Sequence, residues 1–220
     1  MSPKPPDFNH LIVDGREHDY GDFRDGCRLT VRIIHGDRLS LPSGRLLAAE
    51  PPGNFPDGAR QYAFTQTVPP GDYPVEIVMA EFSDPGNPQG NTAYSTVAAA
   101  RLTVRAEPVH TWRLALCDGQ DDTDLAEDEF YGYPVDGGRG SFGSPEVFDT
   151  FTDNPEAHED LIADTSFDHN EPCATYTDEA TGNNLVVFSS GGGDGSYATW
   201  VGYTADGAAA CFLTDFGVLS

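Results

Sequence analysis

Apolar and polar residues alternate along much of the first half of the chain. Every second position is apolar in residues 27–33, 73–79 and 101–105, and the alternation continues over residues 112–116. This period of two is typical of a β-strand with one buried and one exposed face, and the arginines here fall on the exposed face. Turns rich in proline and glycine separate the strands, at residues 42–44, 69–72 and 84–90.

The second half combines further strands with two short helical segments. Its strands are predicted at residues 130–135, 185–188, 199–203 and 210–216. Ser144 and Pro145 are typical of a helix start, where serine caps free N–H groups and proline has no N–H to lose. Asn154 and Pro155 repeat this pattern, so a second helix is predicted there, with Leu161 and Ile162 on its apolar face.

These elements together predict an all-β protein with mainly antiparallel, sandwich-like sheets and two short helices inserted in the second half. The length of 220 residues suits one large domain or two closely packed halves. We divide the chain into an N-terminal β-sheet part, residues 1–113, and an acidic C-terminal part, residues 114–220. Because 13 Phe, 9 Tyr and 2 Trp supply a large apolar surface, we expect the parts to pack as one unit.

The two parts differ sharply in charge. Residues 1–113 contain 11 Lys and Arg against 14 Asp and Glu, whereas residues 114–220 contain only Arg139 against 22 Asp and Glu. Such an acidic chain repels phosphate groups, so nucleic acids and membranes are not expected as partners. A basic protein or a bound cation is expected instead. The alternative is that the acidic surface only keeps the protein soluble.

The expected compartment is the cytoplasm. The N-terminus has no apolar run that could serve as a signal peptide, and no stretch approaches the length of a membrane span. Cys27, Cys117, Cys173 and Cys211 are widely spaced and form no C-x-x-C pair. In a reducing compartment we interpret them as small buried apolar residues rather than as disulfides or zinc ligands.

The most unusual local segment is the glycine-rich loop at residues 189–197. Five glycines in nine residues cost backbone entropy, which often indicates that something approaches the backbone closely. A phosphate site is excluded because no lysine or helix start follows and Asp194 would repel an anion. Two interpretations stay open: a flexible surface loop, or a ligand or cation loop with Asp194 pointing inward.

Three aspartates next to glycine or aromatic residues form the candidate site. Asp136, Asp194 and Asp215 each stand at a predicted strand end. If the closing hairpins lie beside Asp136, the three carboxylates share a cleft with Tyr197 and Trp200. Close carboxylates raise one pKa or bind a cation such as calcium or magnesium, so the same residues are candidate ligand-binding, metal-binding and catalytic groups. The alternative is that these aspartates only begin turns.

Residues 118–129 resemble a calcium-binding loop superficially. Acids or amides occupy its first, third, fifth, seventh and twelfth positions. However, Thr123 stands where the sharp turn of an EF-hand needs glycine, and a strand rather than a helix is predicted to precede the loop. Weak calcium binding by these oxygens and a solvated acidic loop both stay open.

Six segments carry a resemblance to a known family: residues 39–47, 68–75, 97–102, 132–140, 193–197 and 214–219. Together they resemble an uncharacterised bacterial family, domain of unknown function 4241, over nearly the whole chain. The chain departs from that family at Gly137, where alanine is usual, and before Gly193, where the family has a bulky residue. If that residue caps a ligand, its absence weakens the ligand interpretation. The family has no known activity, so the resemblance implies none.

Two functions follow as hypotheses. The first is an uncharacterised cytosolic acidic binding protein, such as an inhibitor or immunity-type partner of a basic protein. The second is a divalent-cation-assisted hydrolase that uses Asp136, Asp194 and Asp215. The sequence favours the binding protein, because no nucleophile–base pair or metal-ligand spacing stands out. The charge difference between the two parts, by contrast, is counted directly from the residues.

Overall fold

Twelve strands in the described part of the chain form two antiparallel sheets. The structure is a computed structural model that describes residues 3–19, 28–51, 53, 55–83, 92–152 and 172–219. The strands are β1 Glu17–Asp19, β2 Arg28–Leu41, β3 Leu47–Ala49, β4 Gly71–Ser83, β5 Thr92–Thr103, β6 Thr111–Leu114, β7 Gly132–Val135, β8 Arg139–Gly143, β9 Cys173–Thr177, β10 Asn184–Ser189, β11 Gly195–Tyr203 and β12 Ala209–Asp215. The all-β prediction is confirmed.

The large sheet has the strand order β1-β2-β4-β5-β12-β11-β6. Strand β7 also pairs with β11, on the same side as β6 but at other residues. The small sheet has the order β3-β8-β10-β9. The boundary that we drew after residue 113 falls inside β6, and β12 of the second half pairs with β5 of the first. Strands from both parts therefore share the large sheet.

Three apolar clusters stabilise this arrangement. In the first, side chains of the large sheet, such as Val75 and Ile77, meet Phe142 and Phe188 of the small sheet, and all four are fully buried. The second cluster covers the outer face of the large sheet, and the third covers the outer face of the small sheet. Because both faces of each sheet are buried, several strands are continuously apolar rather than alternating. In β10, for example, the four consecutive residues 185–188 are all buried.

Two short helices cover the outer faces. The helix α1, Phe8–Leu11, places Phe8 on the large sheet, with its ring centroid 5.0 Å from that of Trp112. The helix α2, Pro145–Thr152, covers the small sheet with the buried Val147, Phe148 and Phe151. Among the described helices, none has the length and apolar character to cross a membrane.

The predicted start of α2 is confirmed, because the Ser144 hydroxyl accepts a hydrogen bond from the N–H of Val147 at 3.3 Å. Helix α1 lies in the first half and was not predicted, since it is a single turn without a clear apolar period. The helix predicted from Asn154 lies outside the described residues.

The cysteines of the described chain are free thiols. Cys211 is buried, and Cys117 and Cys173 are half-buried. Burial raises the pKa of each thiol to about 11. This agrees with their interpretation as apolar packing residues, while Cys27 lies outside the described residues.

Candidate functional site

An acidic insertion interrupts the edge strand of the large sheet. Strands β6 and β7 lie end to end along β11, because β6 pairs with residues 200–203 and β7 pairs with residues 195–198. Residues 115–131 leave the sheet between them, and we call this segment the acidic insertion.

The beginning of the acidic insertion is held against the rest of the fold. The N–H of Ala115 still donates to the carbonyl of Thr199 at 2.8 Å, and the N–H of Thr65 donates to Leu116 at 2.8 Å. Further along, the Asp121 carboxylate accepts hydrogen bonds from the N–H and hydroxyl of Thr123, at 2.9 and 2.7 Å. These bonds hold the pKa of Asp121 below its ordinary value. The same bonds order the turn at residues 121–123 and favour the charged form of Asp121.

The acidic insertion contains seven carboxylates: Asp118, Asp121, Asp122, Asp124, Glu127, Asp128 and Glu129. Five of them, Asp118, Asp122, Asp124, Glu127 and Asp128, have no side-chain hydrogen bond or ion pair within the described residues, whereas Asp121 and Glu129 accept backbone N–H groups. The ion pairs there lie elsewhere, and their acids are Glu17, Glu76, Glu81 and Glu107 of the first part. The insertion thus presents negative charge that the described fold does not neutralise.

Two clefts flank the acidic insertion, one on each face of the large sheet. The inner cleft has a volume of about 780 Å³ and lies between residues 48–51, Phe55 and Tyr62 on one side and residues 131–134 on the other. The outer cleft has a volume of about 300 Å³ and lies between residues 127–130 and residues 215–217. Strand β11 serves both clefts, because its successive side chains point to opposite faces.

Strand β11 brings together part of the predicted site. Tyr197, Trp200 and Asp215 line the outer cleft, which also contains Lys4. Asp136 directly follows Val135, the partner of Gly195, so it lies at the end of β11 near Asp194. Asp136 and Asp194 are exposed and are not among the residues that line either cleft. The closing hairpin therefore lies beside Asp136 as expected, but the aspartates divide between two places.

No group of three or more His, Cys, Asp or Glu side chains within the described residues is arranged to hold a metal ion. The geometry gives the hydrolase hypothesis no added support, and calcium or magnesium binding by the three aspartates stays a prediction from the sequence. Calorimetry with calcium, magnesium and manganese tests it directly.

The glycine-rich loop is a tight turn fixed by hydrogen bonds. The hydroxyls of Ser190 and Tyr197 both donate to the carbonyl of Gly193 at 2.8 Å, and the Thr96 hydroxyl donates to the carbonyl of Gly191 at 3.1 Å. Gly191 and Gly193 have φ of +67° and +101°, which other residues adopt at a cost. The glycines therefore have a structural reason: the chain must turn sharply from β10 in the small sheet to β11 in the large sheet.

Glu50 ties the inner cleft to the turn after β7. Its carboxylate accepts the N–H of Asp136 at 2.9 Å and also the N–H of Gly137. A Cβ atom at Gly137 would lie 2.7 Å from the carboxylate, so alanine at this position requires Glu50 to shift. Glu50 was not predicted from the sequence, because its partners are more than eighty residues away.

The lining of the inner cleft favours binding over covalent catalysis. It contains six aromatic rings, those of Phe55, Tyr62, Phe64, Tyr131, Tyr133 and Tyr197, and the acids Glu50 and Asp118. Its thiol, Cys117, donates to the carbonyl of Tyr62 at 3.1 Å, and burial raises its pKa to about 11, so it is a neutral and poor nucleophile. No histidine, lysine or arginine is among the described residues that line this cleft.

Most of the inner cleft was missed from the sequence. The one local signal is the aromatic pair Tyr131 and Tyr133 directly after the acidic segment. Phe55 and Tyr62 carry no such signal, since only the packing of the two sheets brings them opposite β7.

Tyr133 has a buried hydroxyl that makes no well-formed hydrogen bond among the described residues, although the side chain of Thr214 lies close enough to oppose part of the effect of burial on its pKa. Burial raises the pKa of this phenol far above its ordinary value. We expect Tyr133→Phe to raise the free energy of unfolding by about 1 kcal/mol, because an unsatisfied buried hydroxyl is destabilising. Tyr197→Phe is the matched control, since its hydroxyl is bonded to Gly193, and it should lower stability by about 1 kcal/mol. Urea unfolding measures both, and a loss of stability in Tyr133→Phe would contradict the assignment.

The comparisons with known proteins identify a family but no activity. The family described as "Protein of unknown function (DUF4241)" matches residues 39–214. No curated protein and no solved structure matches the chain. The matched region runs from the end of β2 into β12 and includes the acidic insertion and all residues that line the inner cleft, whereas Pro3, Lys4, Pro6 and residues 215–217 of the outer cleft lie outside it.

Proposed function

We propose that this chain, which belongs to the DUF4241 family, is a binding protein whose acidic insertion binds a basic protein partner. The observation that carries the proposal is the group of carboxylates in that insertion without partners in the described fold, at Asp118, Asp122, Asp124, Glu127 and Asp128. Like charges this close repel one another, so the arrangement is destabilising for the protein alone. A cationic partner would relieve that repulsion, and the relief would add to the free energy of binding.

The shape of the acidic insertion supports the same function. Its hydrogen bonds to the sheet and to Thr65 fix its backbone, so little ordering entropy would be lost on binding. Next to the carboxylates, Phe130 is 45% exposed. An exposed aromatic side chain beside charged residues is typical of interface anchors, because the ring supplies apolar contact and the charges supply orientation.

The proposal includes a location in the bacterial cytoplasm. It is supported by the free thiols Cys117, Cys173 and Cys211, since disulfides are rare in a reducing compartment. Inhibition of a basic enzyme or toxin is the specific role that we favour, because covering a basic surface is what this charge distribution does best.

Neutralising four of these five carboxylates tests this function. The variant Asp118→Asn, Asp124→Asn, Glu127→Gln, Asp128→Asn should bind a nine-residue arginine peptide at least tenfold more weakly than the unchanged protein at low salt. The physical reason is loss of local Coulomb attraction, so the affinity of the unchanged protein should also fall steeply as salt rises. Fluorescence anisotropy of the labelled peptide at several salt concentrations measures both effects.

A second variant with the same change in net charge is the control. Asp37→Asn, Asp57→Asn, Asp72→Asn, Glu179→Gln removes three aspartates and one glutamate from exposed positions outside the insertion. We expect its affinity to stay within about twofold, because these residues lie on other parts of the fold. Equal losses in the two variants would mean that only net charge matters, and the proposed function would then be wrong.

A further inference from the structure

We propose that the inner cleft is the pocket for one arginine side chain of the basic partner, bound against its tyrosine rings and the carboxylate of Asp118. This inference rests on the proposed function and names the group that the partner inserts. It also makes the inner cleft, rather than the exposed outer face of the acidic insertion, the centre of the interface.

The aromatic lining is the first reason. The faces of aromatic rings carry partial negative charge and attract cations. Tyr62 is 40% exposed, and its ring centroid lies 5.2 Å from that of Phe55, so the two rings form one aromatic wall of the cleft. Tyr131 and Tyr133 line the same cleft. A planar guanidinium stacks on such rings, whereas a lysine ammonium cannot, and this favours arginine.

The charge in the cleft is the second reason. The two acids in its lining differ in availability, because the Glu50 carboxylate already accepts two backbone N–H groups at the turn after β7. Asp118 has no hydrogen bond or ion pair from its side chain within the described chain, and no base lines the cleft with it. A guanidinium with five N–H donors would supply the missing partner, and bonds to a charged acceptor are stronger than neutral ones.

The size of the cleft is the third reason. A volume of about 780 Å³ falls in the range of pockets that enclose ligands of roughly drug size. It admits an arginine side chain together with part of the loop that carries it. Phosphate-bearing ligands of the same size do not fit this chemistry, because two carboxylates would face the phosphate without any compensating cation.

A pair of short peptides tests the inference. Acetyl-Gly-Arg-Gly-amide and its citrulline counterpart have nearly the same shape, but only the arginine peptide is charged. We expect the arginine peptide to bind about tenfold more tightly, as measured by ¹⁵N chemical-shift titration at low salt. Shifts should concentrate at residues of the inner cleft, such as Asp118 and Tyr131. Equal binding of the two peptides, or no binding at millimolar concentration, would overturn the pocket.

Single-residue variants test whether the arginine peptide binds in the inner cleft. Asp118→Asn should weaken binding of the arginine peptide about tenfold, whereas Asp72→Asn, which removes the same charge at an exposed position outside the acidic insertion and both clefts, should change it less than twofold. Tyr62→Ala should also weaken it, and a urea unfolding curve confirms that this variant is folded. Similar losses in Asp118→Asn and Asp72→Asn would mean that the peptide senses only the general negative field of the protein, which contradicts a defined pocket.

The two proposals fail separately. If the nine-residue arginine peptide depends on the acidic insertion while the short peptides show no preference for arginine, the pocket is wrong and the proposed function stands. If the nine-residue peptide binds the insertion variant and its control equally well, the proposed function is wrong, and the pocket is then wrong with it.

Discussion

Replacing Phe188 with alanine is expected to lower the free energy of unfolding by about 3–5 kcal/mol. Phe188 lies on β10 and is fully buried between the two sheets. Its ring centroid lies 5.0 Å from that of Phe142 in the same sheet and 6.1 Å from that of Phe216, which follows β12 of the large sheet. Removing the ring leaves a cavity at the contact between the sheets, and a rigid sandwich cannot collapse to fill it.

Phe130→Ala is the matched control for Phe188→Ala. The same atoms are removed, but Phe130 is 45% exposed on the acidic insertion, so stability should change by about 0.5 kcal/mol or less. Urea unfolding followed by circular dichroism measures both variants. A loss below about 2 kcal/mol for Phe188→Ala would mean that the two sheets are not joined through this ring.

Replacing Gly191 with alanine is expected to lower the free energy of unfolding by about 2–5 kcal/mol. Two costs add: a left-handed backbone conformation costs a non-glycine residue about 1–2 kcal/mol, and overpacking costs about 1–3 kcal/mol. The φ of Gly191 is +67°, and its new Cβ atom would lie 2.4 Å from the carbonyl oxygen of Val97 and 3.1 Å from Cβ of Phe216. Because Val97 is in a central strand, its backbone cannot move aside cheaply.

Two neighbouring glycines separate these costs. Gly193 has φ of +101° but nothing within 4 Å of its new Cβ atom, so alanine there should cost only the backbone term, about 1–2 kcal/mol. Gly192 has neither constraint, and alanine should change stability by about 0.5 kcal/mol or less. Thermal and urea unfolding of the three variants give the ranking, and equal effects at all three positions would contradict a packed turn.

Local patterns were sufficient to locate most strands. Alternation in residues 27–33 and 73–79 predicted β2 and β4, although both strands extend further than the pattern. The cap at Ser144 predicted α2 for a local reason, since the capping bond joins residues three apart. Short elements such as β3 and β8 were missed, because a few residues buried on both faces carry no period.

The candidate site was predicted only in part. Its acidic segment and the residues Tyr197, Trp200 and Asp215 could be read from composition and from their position near strand ends. Whether Asp215 lies near Asp136 and Asp194 could not be predicted, because it depends on which strand of the closing hairpin pairs with β7. The register pairs β7 with the start of β11, whereas Asp215 stands at the end of β12 and lines the outer cleft with Trp200.

The amino-acid sequence by itself determined the all-β character of this protein, the start of α2 and the concentration of negative charge after residue 113, because each depends on neighbouring residues or on simple counts. Only the tertiary structure decided that residues 115–131 interrupt one edge strand and that Tyr62 and Tyr131 line the same inner cleft. Those relations depend on strand register and on how the two sheets pack, and both are set by contacts between residues far apart in the chain.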